Sequence, residues 1–174
     1  MPPLAEAQLD FATEFDQRLQ VLSRVQGLLT GLQQGAFDLR SLVEAELAAH
    51  SNPDKVTVEG PAVLLPVSSA QTLALALHEL MTNAVKYGAL GQPVGSLTVS
   101  WHVDEREEEQ RVALEWKESG LRLPDGAPQH KGYGSHLIER ALPYQLGAET
   151  RLAFEPDGVR CTVQLTVPGA KHRA

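Results

Sequence analysis

The chain has 174 residues, of which 43% are hydrophobic and 21% charged, with a formal net charge of −7. That length and balance suit one domain, or one domain with an appended helical arm, and exclude a disordered chain. The acidic surplus excludes a general phosphate-backbone binder, so no nucleic-acid partner is expected, though one helix N-terminus could still hold a phosphate. The lone cysteine, Cys161, excludes an internal disulfide and a cysteine-cluster zinc site.

The first residues, Met1-Pro2-Pro3-Leu4-Ala5-Glu6, carry neither a basic nor an apolar leader pattern. No run of about 18 uncharged apolar residues follows, so no membrane segment and a cytoplasmic location are expected. Phe11, Val25 and Leu32 share one heptad position and Phe15, Leu22 and Leu29 the other; Arg18 fills the gap, and Leu19 and Leu28 widen the stripe. Sustained over about three heptads, this spacing predicts a long amphipathic helix. It packs either against another long helix, in a dimer or bundle, or back onto its own domain. Gly35 and Phe37-Asp38 end it, and Asp38 is placed to cap a second short helix through about His50. The turn cluster Ser51-Asn52-Pro53-Asp54 marks the boundary between an arm, 1–52, and a domain, 53–174.

Short strands are predicted at Lys55 to Glu59 and at about Ala62 to Leu65. Ser68-Ser69-Ala70-Gln71 reads as a capping box opening a helix that runs to about Gly88. Next, Leu97, Val99, Trp101 and Val103 alternate onto one face of a strand, and Val112, Leu114 and Trp116 onto one face of the next. The Glu-rich stretch Asp104 to Gln110 between them reads as a solvated hairpin loop or, as the alternative, an acidic patch. Residues 119 to 131 lack periodicity and form a loop. A helix from about Gly134 to Leu146 ends at Gly147, and two last strands, Thr150 to Phe154 and Val159 to Val167, meet at the turn Pro156-Asp157-Gly158. The order β-β-α-β-β-α-β-β predicts an α+β two-layer sandwich, its mixed and largely antiparallel sheet covered by helices on one face.

Three features could carry chemistry. At about 100° per residue, Leu73, Leu77, Leu80, Met81 and Ala84 make the core face of the 68–88 helix, which puts Glu79, Asn83 and Lys86 together opposite. This edge is either a solvated face with an internal ion pair or a triphosphate site. An amide oxygen suits Mg²⁺, a carboxylate can polarise a hydroxyl, and an ammonium neutralises phosphate. Glu118 continues the inward series after Trp116, so the strand either frays into solvent at Lys117 or aims a carboxylate into a pocket. An inward carboxylate can accept a hydrogen bond from the exocyclic amine of adenine, a charge-assisted bond of about 1.5–3 kcal/mol. Gly132-Tyr133-Gly134-Ser135 leads into a helix, either as an ordinary turn or as an anion cradle. No Walker A pattern occurs, and His78-Glu79 is followed at i+4 by Thr82 rather than by a zinc-binding His.

The stretch from His78 to Leu90, HELMTNAVKYGAL, resembles the N-box of bacterial sensor histidine kinases, in particular the HWE subfamily. That subfamily is named for a His in this box and a later Trp-x-Glu, which Trp116-Lys117-Glu118 matches with Gly120 following. Gly132-Tyr133-Gly134-Ser135-His136-Leu137-Ile138 is similar to its glycine box. Phe15 to Leu29, with Arg18-Leu19 and Arg24, is similar to the second helix of its dimerisation and phosphotransfer domain.

The resemblance implies the ATP-binding GHKL (Bergerat) sandwich of gyrase-type ATPases. It implies that Asn83 coordinates the Mg²⁺ that bridges the phosphates of ATP, and that Glu79 assists proton removal or holds the metal's water. Lys86 and Tyr87 then face phosphate or ribose. Glu118 accepts from the adenine amine, where most histidine kinases use Asp, and Gly120 gives clearance. Gly132, Gly134 and the amides of Ser135 and His136 cradle phosphate, and residues 121 to 131 form the ATP lid. Implied partners are a phosphoacceptor-histidine helix, a response-regulator receiver domain, and a second copy joined through the N-terminal helices.

Two departures stand out. None of His50, His78, His102, His130, His136 and His172 lies in a phosphoacceptor motif, and the helix that carries it would lie upstream of Met1. Gln26 stands where relatives often place His. The expected activity is therefore transfer of the γ-phosphoryl group of ATP to a histidine outside this chain. The alternatives are a phosphotransfer or scaffold protein with a degenerate nucleotide fold, and an anti-sigma-type serine kinase.

Overall fold

In the computed structural model, residues 13, 15–20, 22, 23, 26, 27, 36–48, 52–122 and 136–169 are described. The described residues of the arm, from Thr13 to Gly27, are helical, as the heptad spacing predicts. A three-residue strand the sequence did not announce, β1 (Ala36–Asp38), follows and leads directly into α1 (Leu39–Ala48). Asp38 caps α1 as expected: its Oδ2 accepts from the Ser41 amide at 2.9 Å and from the Ser41 hydroxyl at 2.8 Å.

Beyond a short 3-10 turn come β2 (Val56–Glu59) and β3 (Leu64–Pro66). β3 does not join the main sheet. It pairs antiparallel with β1, Phe37 opposite Leu65, as a separate two-stranded ribbon. Phe37, Leu39, Leu42, Val43 and Leu47 share one apolar core with the strands and helices beyond residue 53.

The long helix α2 (Val67–Lys86) starts one residue before the expected capping box. Its N-cap is Pro66, which forms no side-chain cap bond, so the Ser68/Gln71 box is not made. The ring of Pro66 holds its φ at −57°, and the chain turns into the helix straight out of β3. The core face is the expected one: Leu73, Leu77, Leu80, Met81 and Ala84 are all buried.

β4 (Ser96–Glu105) and β5 (Glu109–Ser119) form the antiparallel hairpin, in the register Val103↔Val112, Trp101↔Leu114, Val99↔Trp116 and Leu97↔Glu118. The connection is shorter than expected, residues 106–108, because both strands run on through charged, exposed positions. The predicted helix near 134–146 begins, in its described part, as a π-helical stretch, Leu137–Ala141, before α3 (Leu142–Leu146). Pro143 sits at that junction, where it has no N–H to give and its ring crowds the carbonyl four residues earlier. Gly147 ends α3 in the left-handed region, φ +59°, as a glycine at that position allows.

β6 (Glu149–Glu155) and β7 (Gly158–Pro168) complete a five-stranded sheet in the order β2-β4-β5-β7-β6. Only the β2–β4 pair is parallel. The mixed, largely antiparallel sheet with helices packed on its apolar side is the expected two-layer sandwich.

Candidate functional site

The rotation of α2 about its axis is set by its apolar face, and that leaves Glu79, Asn83 and Lys86 on the outer edge. Asn83 and Lys86 are exposed, and Tyr87, just past the helix end, is 65% exposed. Glu79 is neither freely solvated nor paired along its own helix. Its Oε1 lies 3.0 Å from Arg18 Nε of the arm, with both side chains less than one-fifth exposed.

The strand does not fray: Glu118 points inward from β5 opposite Leu97 and is 2% exposed. Two donors meet its carboxylate, the Ala89 amide to Oε2 at 3.0 Å and the Trp116 indole N–H to Oε1 at 3.1 Å. The second bond accounts physically for the Trp-x-Glu spacing, since residues i and i+2 of a strand project from the same face. Burial pushes the Glu118 carboxyl above its ordinary range, while the Ala89 and Trp116 bonds pull it back. Each oxygen keeps a second lone pair, so the group can still accept from a ligand amine.

Gly88 lets this happen. A Cβ there would run into Glu118 Oε2 and lie 2.7 Å from Ala84 Cα. Without a side chain, the segment leaving α2 lies against the acid, so the end of the Asn83 helix and Glu118 become neighbours. Gly120, at φ +77°, turns the chain away after β5, with Val94 O 2.7 Å from where its Cβ would sit. The stretch that follows is anchored on both sides. Leu121 N donates to Asp157 O at 2.8 Å, and Arg122 N to Gln92 Oε1 at 3.2 Å. His136, exposed, opens the next helical segment and lines a groove with Leu137, Arg140 and Tyr144. Gly132, Gly134 and Ser135, and the lid from residue 123 on, lie outside the described residues.

Among the described residues no three His, Cys, Asp or Glu side chains group to hold a metal ion. A divalent cation here would rest on one protein oxygen plus phosphates and water, the usual arrangement for Mg²⁺ on a nucleotide, and the exposed Asn83 amide fits that need.

A family model described as HWE histidine kinase matches residues 4–62. A blue-light-activated histidine kinase of Brucella anthropi is 31% identical over 147 residues, 83% of this chain and 30% of that protein. The chain belongs to the HWE histidine kinases. A blue-light-activated histidine kinase of Erythrobacter litoralis, EL346, superposes with a TM-score of 0.58 at 22% identity, over 91% of this chain and 49% of that one. The catalytic domain of histidine kinase ThkA gives 0.53 at 14% identity, over 77% of this chain and 97% of that domain. At those identities the two structures show a shared fold, that of histidine kinase catalytic domains. The chain spans about a third of the length of the curated relatives it matches.

Sequence reasoning missed one buried pair. His78 is 5% exposed, and its Nδ1 lies 3.4 Å from Glu46 Oε2 of α1, itself 2% exposed. The pair ties α1 to α2. The signal available was Glu46 itself, an acid at an apolar position of the short helix.

Proposed function

We propose that this chain is the ATP-binding catalytic region of a two-component sensor histidine kinase that transfers the γ-phosphoryl group of ATP to a histidine outside the chain. One observation carries the reading. Gly88 and Ala89 bring the end of the Asn83 helix against a buried acid, Glu118, that retains acceptor capacity. A purine triphosphate needs that pairing of an amine acceptor with a nearby polar helix edge.

In phosphoryl transfer the protein mainly positions groups and stabilises charge. Glu118 accepts from the adenine amine; guanine, with a carbonyl at that ring position, faces it with an acceptor. Gly120 leaves clearance for the ring. Lys86 and Tyr87 meet phosphate or ribose, and Glu79 takes up a proton or holds a metal-bound water. Gly132, Gly134 and the amides of Ser135 and His136 receive phosphate. Mg²⁺, when bound through Asn83, neutralises phosphate charge. The partners that follow are a helix bearing the phosphoacceptor histidine, the receiver domain of a response regulator, and a second copy meeting through the arm. The cytoplasm, where ATP is found, is the compartment this chemistry requires.

Calorimetric titration with Mg-ATP and Mg-GTP tests the reading. Binding of Mg-ATP, with weaker binding of Mg-GTP, is expected, and Glu118→Gln should narrow the difference. Equal binding of the two nucleotides by the parent chain removes Glu118 from base recognition, and no binding at millimolar nucleotide removes the function.

A further inference from the structure

The arm meets the domain in an unexpected way. The heptad stripe predicts that the apolar residues of the arm make its contacts, yet Phe15 is 52% and Leu19 47% exposed. Arg18, the polar residue that interrupts the stripe, turns to the domain and reaches Glu79 at 3.0 Å. The two side chains are 19% and 15% exposed, shielded enough for the pair to hold and open enough for it to break. Glu79 lies one helical turn before Asn83, on the edge assigned above to phosphate and metal.

We propose that the Arg18–Glu79 ion pair is a latch that parks the arm on the polar edge of α2 and withholds Glu79 from the nucleotide until the arm lifts. The Glu79 oxygen that meets the guanidinium is committed to that contact and is not free for a metal-bound water. Phe15 and Leu19 of the arm stay about half-exposed in this state. Lifting the arm frees Glu79 for the nucleotide. The latch itself stands on the ion pair alone, while its effect on ligand binding rests on the nucleotide reading given above.

The test attaches spin labels at Gln20→Cys on the arm and His102→Cys on β4, both exposed positions. The native Cys161 does not compete for label, being buried with its thiol pushed up to about 12. At low salt the parent should give one narrow distance. Arg18→Gln and Glu79→Gln should each give a broader and longer distribution, and the charge swap Arg18→Glu with Glu79→Arg should restore the narrow one. An unchanged distribution in Arg18→Gln, or a swap that restores nothing, overturns the latch. Mg-ATP affinity of Arg18→Gln should rise about two- to five-fold over the parent, the range open to a partly exposed ion pair. Equal affinity overturns the guarding role. Release of the arm in variants that bind no nucleotide supports the latch and refutes the nucleotide reading instead.

Discussion

The close approach of Gly88 to Glu118 makes Gly88→Ala the sharpest perturbation of the site that leaves its polar groups in place. The added methyl would overlap Glu118 Oε2 and stand 2.7 Å from Ala84 Cα. Glu118 has nowhere to retreat, because it is 2% exposed and held from behind by the Trp116 indole. Forcing one methyl into such packing costs about 1–3 kcal/mol. Pushing the acid off the Ala89 amide leaves a buried donor and acceptor unmade, at about 1–3 kcal/mol more. A total of about 2–6 kcal/mol corresponds to a fall in Tm of roughly 4–24 °C for a domain of this size. Chemical denaturation of the parent, both single variants and the double variant Gly88→Ala/Glu118→Ala measures it. The double variant should be less destabilised than the sum of the singles by at least about 1 kcal/mol, since removing the acid removes the overlap. Additivity to within about 0.5 kcal/mol, or an unchanged Tm in Gly88→Ala, would refute the reasoning.

Two further predictions concern charge and metal. Burial raises the Glu118 carboxyl above its ordinary 4.5, so the native state takes up this proton at a higher pH than the unfolded chain. The stability this group contributes is therefore greatest below about pH 4.5 and is lost as pH rises through its native value. The margin of the parent over Glu118→Gln in denaturant titrations should shrink as pH rises from about 4.5 to 7.5, and a margin that grows would reverse the assigned cause. Asn83→Asp, at an exposed position, should leave stability within about 0.5 kcal/mol and weaken Mg-ATP binding. Unchanged Mg-ATP affinity in that variant removes Asn83 from the metal.

Much of the site was legible because it rests on periodicity. The 3.6-residue spacing of Leu73, Leu77, Leu80, Met81 and Ala84 sets the rotation of α2 and so places Glu79, Asn83 and Lys86 on one edge. Strict alternation through Trp116 carries Glu118 inward in the same way. What stayed hidden depends on contacts between distant segments. The partners of Glu118 at Ala89 and of Glu79 at Arg18 lie 29 and 61 residues away, and no local pattern names them. β1 escaped notice because three residues are too few to show alternation, and it exists only by pairing with β3. The capping box failed for the opposite reason: a good local signal at Ser68 yielded to Pro66, which already delivers the chain in helical direction.

The chain has two tryptophans, and their indole N–H groups report on different places. Trp116 donates to Glu118, while Trp101, four residues along β4 from Leu97, the cross-strand partner of Glu118, donates to Pro61 O at 2.8 Å. Proton–nitrogen correlation spectra, recorded while a non-hydrolysable Mg-ATP analogue is added, therefore watch the acid through its own donor. The Trp116 indole and Ala89 amide signals should move together and saturate, with the Trp101 indole signal unmoved. Signals from Trp116 and Ala89 that hold their positions at millimolar analogue would contradict nucleotide binding beside Glu118.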